Sequence, residues 1–213
     1  MQNILDMKKN HCSRVHESLQ EEDKPEYHLH PEWKGDSMKS TILVGYATRY
    51  GSTKETAEVL ADALKEFGYD VVILPLREVH SLDGYQAVVL GAPLFMFRWH
   101  KDALKFLVRH QEAITRLPVA VFALGPTHDP HVEQEWKDSK AQLKKELANL
   151  PWFMPDDIHI FGGRYDPSKL GFPLSLFAGR VPASDMTDLD AVRKWAGEVA
   201  QKFISPDHFD SAV

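Results

Sequence analysis

Cysteine is almost absent from this chain: Cys12 is the one thiol in 213 residues. It has no partner for an internal disulfide, so the fold needs no oxidising compartment. Long apolar runs are also missing. The longest, Leu117 to Leu124, falls far short of the ~18–20 residues that span a bilayer. Basic residues are in deficit, with 25 Lys and Arg against 31 Asp and Glu, for a net charge of −6. That sign argues against a general nucleic-acid binder, which carries a basic surplus. The first residues, MQNILDMKKNHCSRVHE, lack the basic-then-apolar layout of a signal peptide. No internal repeat or low-complexity tract is present. These absences set the expectation of a cytoplasmic protein with no transmembrane segment. Its apolar share of 43% and charged share of 26% leave enough material for a sizeable core.

Residues 1–38 differ from everything that follows. They carry five basic and eight acidic residues and no sustained hydrophobic period. Such a segment buries too little apolar area to offset its ordering entropy, and it reads as a polar, flexible tail. Cys12, His16, His28 and His30 match no strong zinc spacing. No metal site is assigned.

From Thr41 onward short apolar runs alternate with helical patterns. Thr41–Tyr46, Val71–Leu74, Ala87–Leu90, Val119–Leu124 and Ile158–Phe161 read as buried strands. Helices are expected over Thr53–Phe67, His100–Ile114, Glu133–Leu150 and from about Thr187 to Phe203. Gly68 ends the first of these, and Thr187 with Asp190 suits a capping box at the start of the last. On helical spacing, Ala57, Leu60, Leu64 and Phe67 face inward from the first. Leu104, Leu107 and Val108 do so from the second. Trp136, Leu143, Leu147 and Leu150 form the stripe of the third, and Val192, Trp195, Val199 and Phe203 that of the last. Near-continuous apolar strands alternating with helices indicate a parallel sheet covered on both faces. The expected fold class is α/β, a three-layer doubly wound sheet of five parallel strands. It occupies residues 39–205, with 206–213 as a C-terminal tail. Ligands of such folds gather at the carboxyl ends of the strands.

The loop after the first strand, Tyr46-Ala-Thr-Arg-Tyr-Gly-Ser-Thr-Lys-Glu-Thr-Ala57, fits neither the dinucleotide turn nor the nucleoside-triphosphate loop. It places Thr48, Ser52 and Thr53 around Gly51 at a helix N-terminus. Hydroxyls and backbone N–H groups there can cradle a phosphate dianion, aided by the helix dipole. The plain alternative is that Ser52 or Thr53 simply caps the helix. After the third strand, Gly91-Ala-Pro-Leu-Phe-Met-Phe-Arg-Trp-His100 holds Leu94, Phe95, Met96, Phe97 and Trp99 where a loop should be polar. These side chains either fold into the core or cover a flat apolar ligand. After the fourth strand, Gly125-Pro-Thr-His128 is either an ordinary turn or a group of donors for such a ligand's polar edge.

The first loop resembles the phosphate signature of the flavodoxin family: Tyr46, Thr48, Gly51, Thr53, Ala57 and Leu60 fall at its spacing. Gly45 departs from the bulky apolar residue usual before the aromatic. The Thr48–Thr53 form, Thr-Arg-x-Gly-x-Thr, is similar to that of the flavodoxin-type, menaquinone-dependent protoporphyrinogen oxidases. The resemblance implies FMN as cofactor. It also implies a binding set of Thr48, Arg49, Tyr50, Gly51, Ser52 and Thr53 for the phosphate, with Ala92, Pro93, Leu94, Phe95 and Met96 beside the ring. Gly125, Pro126 and Thr127 would meet its polar edge. The implied partners are a quinone-like or porphyrinogen small molecule, or a redox protein if the chain is an electron carrier. A regulatory module that keeps the fold without turnover is the third reading. No catalytic residue is assigned; His100 and His128 lie in the ring loops and are read as structural or as aids to protonation.

Three features separate an enzyme from a carrier: the charge, the ring loop and the segment before the last helix. Outside the tail the charge is only −3, with 20 basic and 23 acidic residues. No glycine lies between Ala92 and Trp99, where carriers often have one whose peptide flips with redox state. An apolar insertion at about 164–186 carries Leu170, Phe172, Leu174, Leu176 and Phe177. Its open readings are a cover for a hydrophobic substrate, peripheral contact with a membrane surface, and a short core-packing helix.

Overall fold

The computed structural model describes residues 40–95, 98–125, 133–169 and 182–204. The tails at 1–38 and 206–213, the middle of the apolar insertion, and Met96, Pro126, Thr127 and His128 lie outside them.

Runs of Val, Ile, Leu and Phe make the strands, because a chain buried on both faces has no use for polar alternation. They are β1 (Thr41–Tyr46), β2 (Asp70–Pro75), β3 (Ala87–Phe95), β5 (Val119–Leu124) and β6 (Asp157–Phe161). They lie parallel in the order β2-β1-β3-β5-β6. The five-stranded doubly wound sheet expected from the sequence is therefore present. A short β4 (Arg98–Trp99) folds back antiparallel on the end of β3. A separate two-stranded ribbon joins β7 (Arg164–Tyr165) to β8 (Ser184–Asp185).

The pleat sends alternate residues to opposite layers. Ile42, Val44 and Tyr46 face α1 (Ser52–Glu66) and α5 (Leu189–Ile204), together with Phe122, Phe161 and Trp195. Leu43, Val88, Leu90 and Val121 face the other way, toward α2 (Lys101–Arg109), α3 (Gln111–Ile114) and α4 (Glu133–Leu147). Gly45 sits in this second layer. A Cβ there would stand 2.5 Å from Leu76 Cδ2, so the departure from a bulky residue makes room for Leu76.

Several boundaries differ from the sequence reading. The helix expected over His100–Ile114 is broken at His110 into α2 and α3. Its inward face is Ala103, Phe106 and Leu107, with Leu104 half-buried, while Val108 is 58% exposed. Phe67 ends α1 as its C-cap and is 53% exposed; it is not on the buried face. Gly68 follows with φ +91, the left-handed stop its position suggested. α4 ends at Leu147, and Leu150 packs on the core from the turn beyond. The last helix is capped by Asp188 and not by Thr187: Asp188 Oδ1 accepts from the N–H of Asp190 at 3.0 Å and of Ala191 at 2.9 Å. Val192, Trp195, Val199 and Phe203 are buried as expected.

Candidate functional site

The strand order reverses between β1 and β3, and loops leaving their carboxyl ends diverge to opposite faces of the sheet. A crevice forms at such a point for topological reasons. Here it is a pocket of about 280 Å³ with four walls.

The first wall is the loop after β1, which contributes Thr48, Arg49, Tyr50, Ser52 and Thr53. Gly51 is the N-cap of α1 and has φ +100, a left-handed conformation that glycine adopts without steric cost. Thr48 Oγ1 accepts from Gly51 N–H at 2.9 Å and holds the turn. The Gly51 carbonyl then accepts from Lys54 and Glu55, at 2.9 and 3.1 Å. No side chain caps the helix. The N–H groups of Ser52 and Thr53 thus stand at the positive end of α1 with no intrahelical acceptor. Thr53 is only 1% exposed.

The second wall is the end of β3, through Pro93, Leu94 and Phe95. These residues, expected in a loop, extend the strand. Leu94 pairs with Trp99 and Phe95 with Arg98. Ala92 is turned into the core at 0% exposed and does not line the pocket; its carbonyl accepts from Trp99 Nε1 at 3.2 Å, which fastens the hairpin. Leu124 and Gly125 at the end of β5 form the third wall. Gly125 N–H donates to the Phe161 carbonyl at 2.8 Å.

Gly163, Arg164, Tyr165 and Asp166, following β6, close the pocket as its fourth wall. They fall at the start of the segment read as an apolar insertion, one of whose readings is a substrate cover, but none of them was assigned to the site. Arg164 donates to Glu55 at 2.8 Å and to Asp185 at 2.7 Å. The Asp185 carboxylate holds the guanidinium above its ordinary pKa. Burial would raise the Asp185 pKa, but bonds from Thr187 and Arg164 bring it below the usual carboxylate value. Asp166 accepts from the Ser168 hydroxyl at 2.6 Å and from its N–H at 3.0 Å, and these bonds lower its pKa. Lys169 Nζ donates to the Tyr50 carbonyl at 3.4 Å, so the fourth wall is tied to the first.

Across the pocket the Arg49 guanidinium lies 4.3 Å from the centroid of Phe95 and 5.5 Å from that of Tyr50. The two rings meet edge-on at 6.5 Å. His100 is outside the lining. Its Nδ1 accepts from Asp102 N–H at 3.3 Å and caps α2, and burial pushes its pKa down. A second cavity of about 450 Å³ runs beside β6, lined by Trp136, Lys140, His159 and Met186 among others. It is larger, but among the described residues none of Thr48, Ser52, Thr53, Pro93, Leu94 and Phe95 lines it. Among the described residues there is no metal-holding cluster of His, Cys, Asp and Glu, and no helix long and apolar enough to cross a membrane.

A profile of the flavodoxin domain family matches residues 43–173. The chain belongs to this family. The chain is 27% identical over 177 residues to protoporphyrinogen IX dehydrogenase (quinone) of Escherichia coli strain K12, a match that covers 76% of this chain and 95% of that protein. The protein of the same name from Escherichia coli O157:H7 matches equally. Among solved structures, the flavodiiron core from Synechocystis sp. PCC6803 superposes with a TM-score of 0.51 at 14% identity. The chain spans 36% of that molecule's length, and the likeness is one of fold. Membership of the flavodoxin domain family indicates flavin binding.

Proposed function

We propose that this flavodoxin domain binds FMN and moves electrons from a reduced, hydrophobic substrate to a quinone-like acceptor. The observation that carries the reading is the uncapped N-terminus of α1, with Thr48, Ser52 and Thr53 around a left-handed Gly51, facing an apolar wall of Pro93, Leu94 and Phe95. A phosphate on a flat aromatic body is the ligand chemistry that uses both halves. The hydroxyls and free N–H groups suit a dianion, and the wall suits a ring that stacks.

The fit assigns roles to residues. Ser52 and Thr53 donate to the phosphate, and Thr48, which accepts from Gly51, keeps its own hydroxyl proton to donate. Tyr50 and Gly51 set the course of the loop. Pro93, Leu94 and Phe95, joined by Met96, pack on the ring and exclude water from it. Gly125 lets the backbone come close to the ring's polar edge, joined by Pro126 and Thr127. FMN, when bound, supplies the electron-transfer chemistry, so the protein needs no nucleophile and no acid–base pair. Consistent with that, His100 is engaged as a helix cap.

The substrate and acceptor follow from the name of the Escherichia coli relative, which this chain matches over 95% of that protein's length. The reading is a porphyrinogen donor and a quinone acceptor, in the cytoplasm or at a membrane surface. The test is oxidation of protoporphyrinogen IX by the FMN-loaded full chain with menadione as acceptor. Turnover that depends on FMN supports the reading. Reduction of a redox protein with no turnover on menadione would instead make the chain an electron carrier.

A further inference from the structure

We infer that Arg49 is a substrate-selecting residue, whose guanidinium receives a carboxylate on an apolar molecule entering the pocket. The inference rests on the reading of this pocket as the flavin and substrate site, and it assigns Arg49 a role other than holding phosphate.

Among the described residues that line the pocket, the charged side chains of Arg164 and Asp166 both have hydrogen-bonded partners. Glu55 and Asp185 are engaged by Arg164, and Asp166 is satisfied by Ser168. Among the described residues no carboxylate pairs with Arg49, although it lines the pocket and is exposed. Its guanidinium is held in place by rings: Phe95 at 4.3 Å and Tyr50 at 5.5 Å. Cation–π contact of this kind leaves the in-plane N–H donors of the guanidinium available. An unneutralised planar fork matches a carboxylate through two parallel bonds.

The ring nearest the guanidinium belongs to the apolar wall. Phe95 ends β3 and belongs to the apolar wall, whereas the phosphate donors Thr48, Ser52 and Thr53 are grouped about the N-terminus of α1. The guanidinium therefore lies on the wall along which a second, apolar molecule would slide. A porphyrinogen is such a molecule and brings carboxylates on its propionate side chains, whereas a quinone brings none. Arg49 thus distinguishes the electron donor from the acceptor in a pocket that must admit both.

The test uses the FMN-loaded full chain with two probes, protoporphyrin IX and its dimethyl ester, whose binding is read by fluorescence. Wild type binds the diacid about tenfold more tightly than the diester, the scale of one charged hydrogen-bonded contact. The ester is the more hydrophobic probe, so simple apolar partition would give the opposite order. Arg49→Gln abolishes the preference, and Arg49→Lys keeps part of it, since the charge survives without the fork. FMN affinity of Arg49→Gln, titrated separately, changes by less than about threefold. Wild type that binds neither probe or shows no preference overturns the inference. So does Arg49→Gln that retains the preference, or that loses FMN instead. Turnover of protoporphyrinogen in the same preparations is an independent readout. A diacid preference without turnover supports the role of Arg49 and removes the oxidoreductase reading, while turnover without a preference does the reverse.

Discussion

Arg164 donates a 2.8 Å hydrogen bond to Glu55, so the segment after β6 is tied to the first turn of α1. The same guanidinium reaches Asp185 on β8 at 2.7 Å. One side chain therefore fixes the fourth wall of the pocket against the helix whose N-terminus faces the proposed phosphate position. The three partners are partly exposed, so each pair is worth little alone. Arg164→Ala is expected to weaken FMN binding by about 1 kcal/mol with little loss of fold stability. In a double-mutant cycle its cost shrinks when Glu55 is already alanine. Fluorescence titration checks both, and full additivity would show that the bridge does not position the wall.

Two glycines at the site separate strain from crowding. Gly91 pairs with Phe122 in the sheet, and a Cβ on it would overlap the Phe122 ring. Gly91→Ala should lower stability by about 1–3 kcal/mol through overpacking. Gly51 has nothing within 4 Å of its Cβ position, but its φ is +100. Gly51→Ala should cost about 1–2 kcal/mol of backbone strain and act on the turn itself. Urea unfolding and FMN titration of the two variants will differ in kind. Gly91→Ala loses stability first, and Gly51→Ala loses FMN affinity out of proportion to stability.

Burial and charge set a pH dependence. Burial lowers the pKa of His159, which is packed against Phe161 and Trp195, and of His110 and His100. Each binds a proton more readily in the unfolded chain, at about 6.5. Stability therefore falls as pH drops through the window between that value and the lower folded one. Asp157 adds a second, more acidic window. Burial would raise its pKa, but hydrogen bonds from Lys202 and Trp195 hold it below the ordinary carboxylate value. Its contribution is present above about pH 3.9 and is lost as pH falls through the folded value. The urea midpoint should be flat near pH 7.5 and lower at about pH 5.5, and His159→Phe should reduce that drop. A midpoint unchanged between the two would contradict the burial of these imidazoles.

The sheet and its layers were legible because each strand is a short apolar run and each helix presents a stripe. Val192, Trp195, Val199 and Phe203 fall at helical spacing and are all buried. The end of β3 was not legible. Pro93 lacks an N–H, and the aromatic cluster after it resembles a loop more than a strand, yet Leu94 and Trp99 pair across a hairpin. The break at His110 and the exposure of Val108 were hidden for a different reason. An apolar residue on a helix states its period, but only tertiary packing decides which edge of the stripe is covered. The left-handed turn at Gly51 and the hydroxyls grouped around it were visible. The fourth wall was not, because Arg164 and Asp166 acquire meaning only through Glu55 and Ser168, which are found in space.

Thr53 offers a test of the phosphate position. It is 1% exposed at the start of α1 and lines the pocket. Thr53→Val preserves shape and removes the hydroxyl. FMN affinity should fall by about 1–3 kcal/mol while riboflavin, which has no phosphate, binds either protein alike. Equal affinity of wild type and variant for FMN would put the phosphate elsewhere.

Titration of the purified full chain with FMN bears most directly on the whole account. One equivalent should bind, with quenched flavin fluorescence and a flavin absorption spectrum that stays with the protein through gel filtration. Protein that remains colourless after excess FMN and filtration would contradict the central claim.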